Sequence, residues 1–202
     1  MVQPLYWLAA AVSWPLVGVP FRLRACGREN LPKGGFVLAA NHTSNLDPWP
    51  LGLPLWPHRQ LRFMAKSELF NPILKPILLG GGAFPVRRGA GDRDAMRRAV
   101  DLVRSGEIVV MFPEGTRREK GLRKKFEARP HTGAARIALM ADAPLVPAAI
   151  AGSDRISRLG PLRVAYGKPL DLGDLRDADA KTAANEATER LMAAIRGLEA
   201  AL

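Results

Sequence analysis

Gly35-Phe36-Val37-Leu38-Ala39-Ala40-Asn41-His42-Thr43-Ser44-Asn45-Leu46-Asp47-Pro48 decides how the rest of this chain is read. Gly35–Ala40 is a short, nearly unbroken apolar run without helical periodicity, which reads as a strand buried on both faces, as in a parallel sheet. The polar residues that follow turn the chain out of that strand. A second buried run, Glu107–Phe112, ends in the same way, at Pro113-Glu114-Gly115-Thr116-Arg117. Two buried strands that each open into a polar turn predict an open α/β sheet, with both turns at the carboxyl ends of strands, where such sheets place ligands.

The remaining segments fit that frame. Residues 21–26, 61–65, 83–86, 145–150 and 162–166 read as further strands. Helices are predicted over 72–79, 92–105, 132–141 and 178–202, the second opening near Asp92 or Asp94 and closing before Gly106. Alternating strands and helices imply parallel pairings. At 202 residues the chain is most naturally one domain with a substantial core.

His42 and Asp47 are the raw material of a general base. On one continuous helix five residues turn by about 500°, leaving two side chains roughly 140° apart and unable to meet. Pro48 disfavours helical geometry at the residue before it and sits well as a first helical residue. Asp47 is therefore expected to cap a helix starting at Pro48, while residues 42–46 form a turn, and a turn of that length can fold back and bring the carboxylate to the imidazole. That contact would fix the tautomer and stabilise the imidazolium formed when His42 takes a proton. The alternative is an ordinary loop histidine beside a capping aspartate. No Gly-x-Ser-x-Gly elbow occurs, and His42, His58 and His131 lack metal-ligand spacing.

Gly115 would let backbone amides approach an anion, and Arg117 can hold a phosphate through two parallel hydrogen bonds. Arg87 and Arg88 follow the 83–86 strand, and Lys66 follows the 61–65 strand. These cations share one topological position, on the side expected for His42.

The net charge is +11, with 48% apolar and 24% charged residues. From Asp171 onward there are seven acids and four bases, which leaves +14 on the first 170 residues. A basic body favours an anionic partner: a phospholipid surface, a phosphorylated substrate or nucleic acid. Aromatics make up 6% of residues, too few for a nucleic-acid stacking platform. Arg117–Arg129 holds seven bases and two acids, suited to anionic headgroups, to the phosphates of coenzyme A, or simply to solvent. The lone cysteine, Cys26, fits a reducing compartment.

Residues 1–21 carry no charged side chain. Twenty-one residues at about 1.5 Å each would just cross a hydrocarbon core of about 30 Å, but Pro15, Gly18 and Pro20 interrupt the run. The expected structure is a helix over 5–14 that inserts into a membrane without spanning it; a true span and a core helix are the alternatives. Tyr6, Trp7 and Trp14 suit the interface. The expected division is a membrane-associating segment, 1–21, and a catalytic domain, 22–202.

Four motifs in order carry a family resemblance over about residues 20–170. Asn41–Pro48 resembles the His-x4-Asp motif of the glycerolipid acyltransferases of the 1-acylglycerol-3-phosphate type. Gly82–Arg88 resembles their second motif, Phe112–Arg117 the third, and Pro144-Leu145-Val146-Pro147 the fourth. The resemblance implies a single mixed sheet flanked by helices, and an enzyme that moves an acyl group from a thioester to the hydroxyl of a lysophospholipid. It implies His42 as base and Asp47 as its orienting partner. Arg88, Arg117 and Lys66 would hold the acceptor phosphate, and Glu114, Gly115 and Thr116 would shape the site.

The resemblance further implies no cofactor and no metal, with acyl-coenzyme A or acyl carrier protein as co-substrate. It places the protein at the cytoplasmic face of the cell membrane, as a peripheral or monotopic protein on an anionic surface, with no nucleic acid. Two departures stand out: Arg118 where relatives often have a small residue, and Pro130-His131 where they commonly have Phe-Lys. Another lysophospholipid or a glycolipid acceptor is thus the nearest alternative, and a non-catalytic basic lipid- or nucleic-acid-binding protein the more distant one.

Overall fold

The computed structural model describes residues 3–86, 93–114 and 130–202. Among the described residues, seven strands form one sheet: β1 (Arg24–Cys26), β2 (Phe36–Ala40), β3 (Leu61–Lys66), β4 (Ala83–Val86), β5 (Ile108–Met111), β6 (Leu145–Ala151) and β7 (Arg163–Tyr166). Their order is β1-β7-β6-β2-β5-β3-β4. The five strands from β6 to β4 all run parallel. β7 is antiparallel to β6, and β1 pairs parallel with β7. The expectation of parallel pairing therefore fails at β6–β7, and the connection explains why. Gly152 to Leu162 holds only a short 3-10 stretch, Ser153–Arg158, too little chain for a crossover helix.

Period-two alternation splits the core into two layers. Val37, Ala39, Val109 and Leu145 point to one face, where they meet α4 (Arg93–Arg104), α5 (Gly133–Ala141) and α6 (Ala180–Ala200). Phe36, Leu38, Ala40, Ile108, Val110, Val146, Ala148 and Ile150 point to the other, against Leu51 and Leu55. α6 forms because Ala183, Ala187, Leu191 and Ile195 recur at helical spacing and are buried, while the Asp179 carboxylate accepts from the amides of Lys181 and Thr182 at its start.

At the N-terminus, α1 (Pro4–Ser13) runs into a π-helical turn at Trp14–Gly18. The strand expected over 21–26 starts only at Arg24, because Arg22 takes a left-handed conformation (φ 45°) and breaks the extended path. Tyr6, Ala10 and Val17 are buried with Leu53 and Leu162, which ties this segment to the body. Its other side is apolar and open: Leu5, Trp7, Leu8, Val12, Leu16 and Val19 are each 47–65% exposed. α3 (Leu74–Gly80) packs against α1, with Leu5 so close to Gly80 that a Cβ there would lie 2.1 Å from Leu5 Cδ2. Ile73 and Ile77 extend the apolar face. Among the described residues, no helix is long and apolar enough to cross a membrane.

Candidate active site

Because β2 to β6 run the same way, their carboxyl ends share one edge of the sheet. His42 and Asp47 follow β2, Phe112 and Glu114 follow β5, Lys66 ends β3, and Ser153 follows β6. Arg88, Gly115, Thr116 and Arg117 lie outside the described residues, as does the basic segment 117–129. The strands that lead to them, β4 and β5, end at this same edge.

His42 Nδ1 lies 2.7 Å from Asp47 Oδ2. The fold-back turn brings the two together, and Asp47 immediately precedes α2 (Pro48–Gly52) as expected. The details differ. Asp47 itself is helical (φ −53°, ψ −37°) despite Pro48, and its side chain does not cap α2. Instead the carboxylate turns backward. Oδ2 accepts from the amides of Thr43 at 2.7 Å and Ser44 at 2.9 Å, and Oδ1 accepts from the Ser153 hydroxyl at 2.5 Å, with Thr43 Oγ1 a further 3.4 Å contact. This network outweighs the local preference imposed by the proline.

Asp47 is fully buried, whereas His42 keeps 18% of its side chain exposed. Burial pushes the Asp47 carboxyl up, but hydrogen bonds from His42, Ser153, Ser44 and Thr43 outweigh it and hold the group below the usual carboxylate range. At neutral pH Asp47 is thus an anion and can only accept. Neutral His42 must then carry its proton on Nδ1, which leaves Nε2 bare and able to take a proton. Phe112 stacks on the ring, with centroids 4.2 Å apart and planes 17° apart, and so fixes the ring plane from the neighbouring strand end.

This charge state makes stability depend on pH with a definite sign. A carboxyl whose folded pKa lies below its unfolded value, about 3.9, stabilises the fold above that value, and the contribution fades as pH falls through the folded value. The denaturation midpoint of the wild-type protein should therefore fall more steeply below about pH 4 than that of Asp47→Asn. Parallel acid slopes in urea titrations would contradict this.

Asn41 supports the loop from behind. It is 1% exposed; its Nδ2 donates to Ile150 O and to Glu199 Oε1, both at 2.9 Å, and its Oδ1 accepts from Ile150 N at 2.8 Å. Asn41 thereby extends the β2–β6 ladder by one side chain and ties α6 to the residue before His42. No local pattern in the sequence gives Asn41, Phe112, Ser153 or Glu199 a role of its own. The rule that located His42 and Glu114, a polar turn past a buried strand, also applies to Gly152-Ser153-Asp154 after β6.

Among the described residues, no three His, Cys, Asp or Glu side chains are grouped to hold a metal ion. A mainly apolar cavity of about 640 Å³, lined by Leu5, Leu79, Phe84 and Leu102 with Arg62 and Arg98, opens at the start of β3 and β4, at the other end of the parallel strands.

An open α/β sheet that holds a histidine against a buried carboxylate at its carboxyl edge, with Nε2 left bare, has a geometry suited to proton transfer. The chain belongs to the acyltransferase family, whose profile it matches over residues 22–151. It is 35% identical over 182 residues to a 1-acyl-sn-glycerol-3-phosphate acyltransferase of Bacillus subtilis, covering 88% of each chain. It is 30% identical to a chloroplastic 1-acyl-sn-glycerol-3-phosphate acyltransferase of Arabidopsis thaliana, covering 79% of this chain and 47% of that one, so it spans about half that relative's length. The crystal structure of the 1-acyl-sn-glycerophosphate acyltransferase PlsC from Thermotoga maritima matches with a TM-score of 0.54 at 26% identity, over 84% of this chain and 71% of that one.

Proposed function

We propose that this protein transfers a fatty acyl group from an acyl thioester to the free hydroxyl of 1-acylglycerol-3-phosphate, giving phosphatidic acid. The observation that carries the chemistry is the 2.7 Å contact between His42 Nδ1 and the buried Asp47 anion, which directs the basic lone pair of the ring to Nε2. The names of the relatives support the choice of acceptor.

His42 Nε2 takes the hydroxyl proton as the acceptor oxygen bonds to the thioester carbonyl carbon. Asp47 stabilises the imidazolium so formed. The tetrahedral intermediate collapses by breaking the carbon–sulfur bond, and the departing thiolate receives the proton from His42. The products are the ester and the free thiol, with the enzyme unchanged. The acceptor phosphate is assigned to Arg88, Arg117 and Lys66. Glu114, Gly115 and Thr116 shape the pocket, and amides near Gly115 stabilise the oxyanion. Acyl-coenzyme A or acyl carrier protein serves as donor.

The reading is tested by thiol release from acyl-coenzyme A with a panel of lysolipids. 1-acylglycerol-3-phosphate should be the best acceptor. Arg117→Ala should raise the KM of that acceptor by ~10-fold or more, the scale of one charge-assisted phosphate contact, and change the donor KM by much less. A larger effect on donor than on acceptor would reverse the assignment of Arg117.

The protein is further proposed to act at the cytoplasmic face of the cell membrane as a peripheral or monotopic protein. The exposed apolar face of α1 and α3 supports insertion, since an open apolar patch of that extent marks an interaction surface. Basic residues near an anionic surface add about 1 kcal/mol each. Vesicles containing phosphatidylglycerol should sediment the wild-type protein, and Leu8→Glu with Leu16→Glu should abolish most of that binding. Unchanged sedimentation would remove this face from the membrane contact.

A further inference from the structure

Asp47 is held by more than its own loop. Its second oxygen, Oδ1, is engaged by Ser153, a residue 106 positions away in sequence, at 2.5 Å. Ser153 is 1% exposed, and its Oγ also lies 2.8 Å from Thr43 Oγ1. The proton positions follow from chemistry. The Asp47 anion cannot donate, so the Ser153 proton points at Oδ1, and Thr43 must then donate to Ser153. The result is a one-way chain of hydrogen bonds, Thr43 to Ser153 to Asp47, with His42 Nδ1–H donating into the other carboxylate oxygen.

The placement of Ser153 is fixed by the backbone. Gly152 stands between β6 and Ser153 at φ 90°, and a Cβ there would lie 2.2 Å from Pro161 O. No other residue fits without moving the β6–β7 connection. At the same edge, Ile150 is bonded in both directions to Asn41. The end of β6 thus grips the 41–47 loop twice, once before His42 and once at Asp47.

We propose that Ser153 is a positioning residue for the reaction: it fixes the plane of the Asp47 carboxylate, and through it the direction of the His42 ring. This rests on the general-base reading of His42 given above. With Ser153 present, both Asp47 oxygens are occupied and the carboxylate cannot rotate about its Cβ–Cγ bond without breaking hydrogen bonds. Without it, Oδ1 keeps only the long 3.4 Å contact with Thr43. The His42–Asp47 pair then still forms, but over a wider range of angles, and the base is aimed less often at the acceptor hydroxyl.

The test compares Ser153→Ala, Ser153→Thr and His42→Ala with the wild type in the same thiol-release assay, with donor and acceptor varied separately. Ser153→Ala should lower kcat roughly tenfold, the scale for losing one hydrogen bond to a charged group, and leave both KM values within about twofold. Ser153→Thr, which keeps the hydroxyl, should recover most of kcat. The His42 ring N–H proton resonance should move in Ser153→Ala and return toward its wild-type position in Ser153→Thr. Wild-type kcat in Ser153→Ala, alongside lost kcat in His42→Ala, would overturn the role of Ser153 and leave the general base standing. Wild-type kcat in His42→Ala would overturn the general-base reading itself. Equal losses in Ser153→Ala and Ser153→Thr would show that packing, not the hydroxyl, sets the rate, and would also overturn the proposal.

Discussion

His42→Ala should lower kcat for thiol release by about 10³-fold, within the range a positioned general base contributes, while both KM values change little. The KM values should hold because, in the proposed mechanism, His42 meets the acceptor only at the atom that loses its proton and the phosphate is assigned to other residues. The fold should hold too. His42 keeps part of its ring exposed, and when the imidazole is removed the buried Asp47 carboxylate still has the Thr43 and Ser44 amides and the Ser153 hydroxyl as donors. Unchanged kcat would remove His42 from the reaction. A matching loss of thermal stability would turn the result into a folding effect.

Asp47→Asn and Asp47→Ala should separate charge from architecture. The amides of Thr43 and Ser44 are rigid donors aimed at Oδ2, so an asparagine will place its oxygen there and its amide nitrogen at the Oδ1 position. The hydroxyls of Ser153 and Thr43 can rotate to accept from that nitrogen. His42 Nδ1–H keeps its acceptor and its tautomer, and only the negative charge is lost. Asp47→Asn should therefore fold normally and lose about 10²-fold in kcat, less than a substitution that forces the wrong tautomer, which costs about 10⁴-fold in the serine protease triad. Asp47→Ala instead strands several donors in a fully buried site. It should destabilise the fold by about 2–4 kcal/mol as well as removing activity. Denaturant titrations alongside kcat will distinguish the two. Equal stability in the two variants would contradict the network as described.

The two buried strands, β2 and β5, were legible because a run such as Phe36–Ala40 has no polar residue to expose on either face. The meeting of His42 and Asp47 was also legible, since five residues cannot bring them together on a helix and the prolines and small polar residues around them favour a turn. The length of β1 was not, because a single left-handed residue, Arg22, leaves no mark in hydropathy. The antiparallel pairing of β7 was half legible: no helix is predicted between the 145–150 and 162–166 strands, and the chain between them is too short for a parallel crossover, but which strand β7 would join was set by the sheet as a whole.

By itself, then, the amino-acid sequence determined the α/β class, the position of His42 and Asp47 past a buried strand, and the resemblance to the acyltransferases. These follow from local patterns of apolar and polar residues and from short motifs. Only the tertiary structure decided what surrounds the pair. Asp47 does not cap its helix because four donors from two loops outbid that role, and Ser153 among them arrives from a different strand. Asn41 likewise finds its partners on β6 and α6. Such contacts depend on which strand ends lie side by side, and strand order is set by packing across the whole sheet rather than by any one segment.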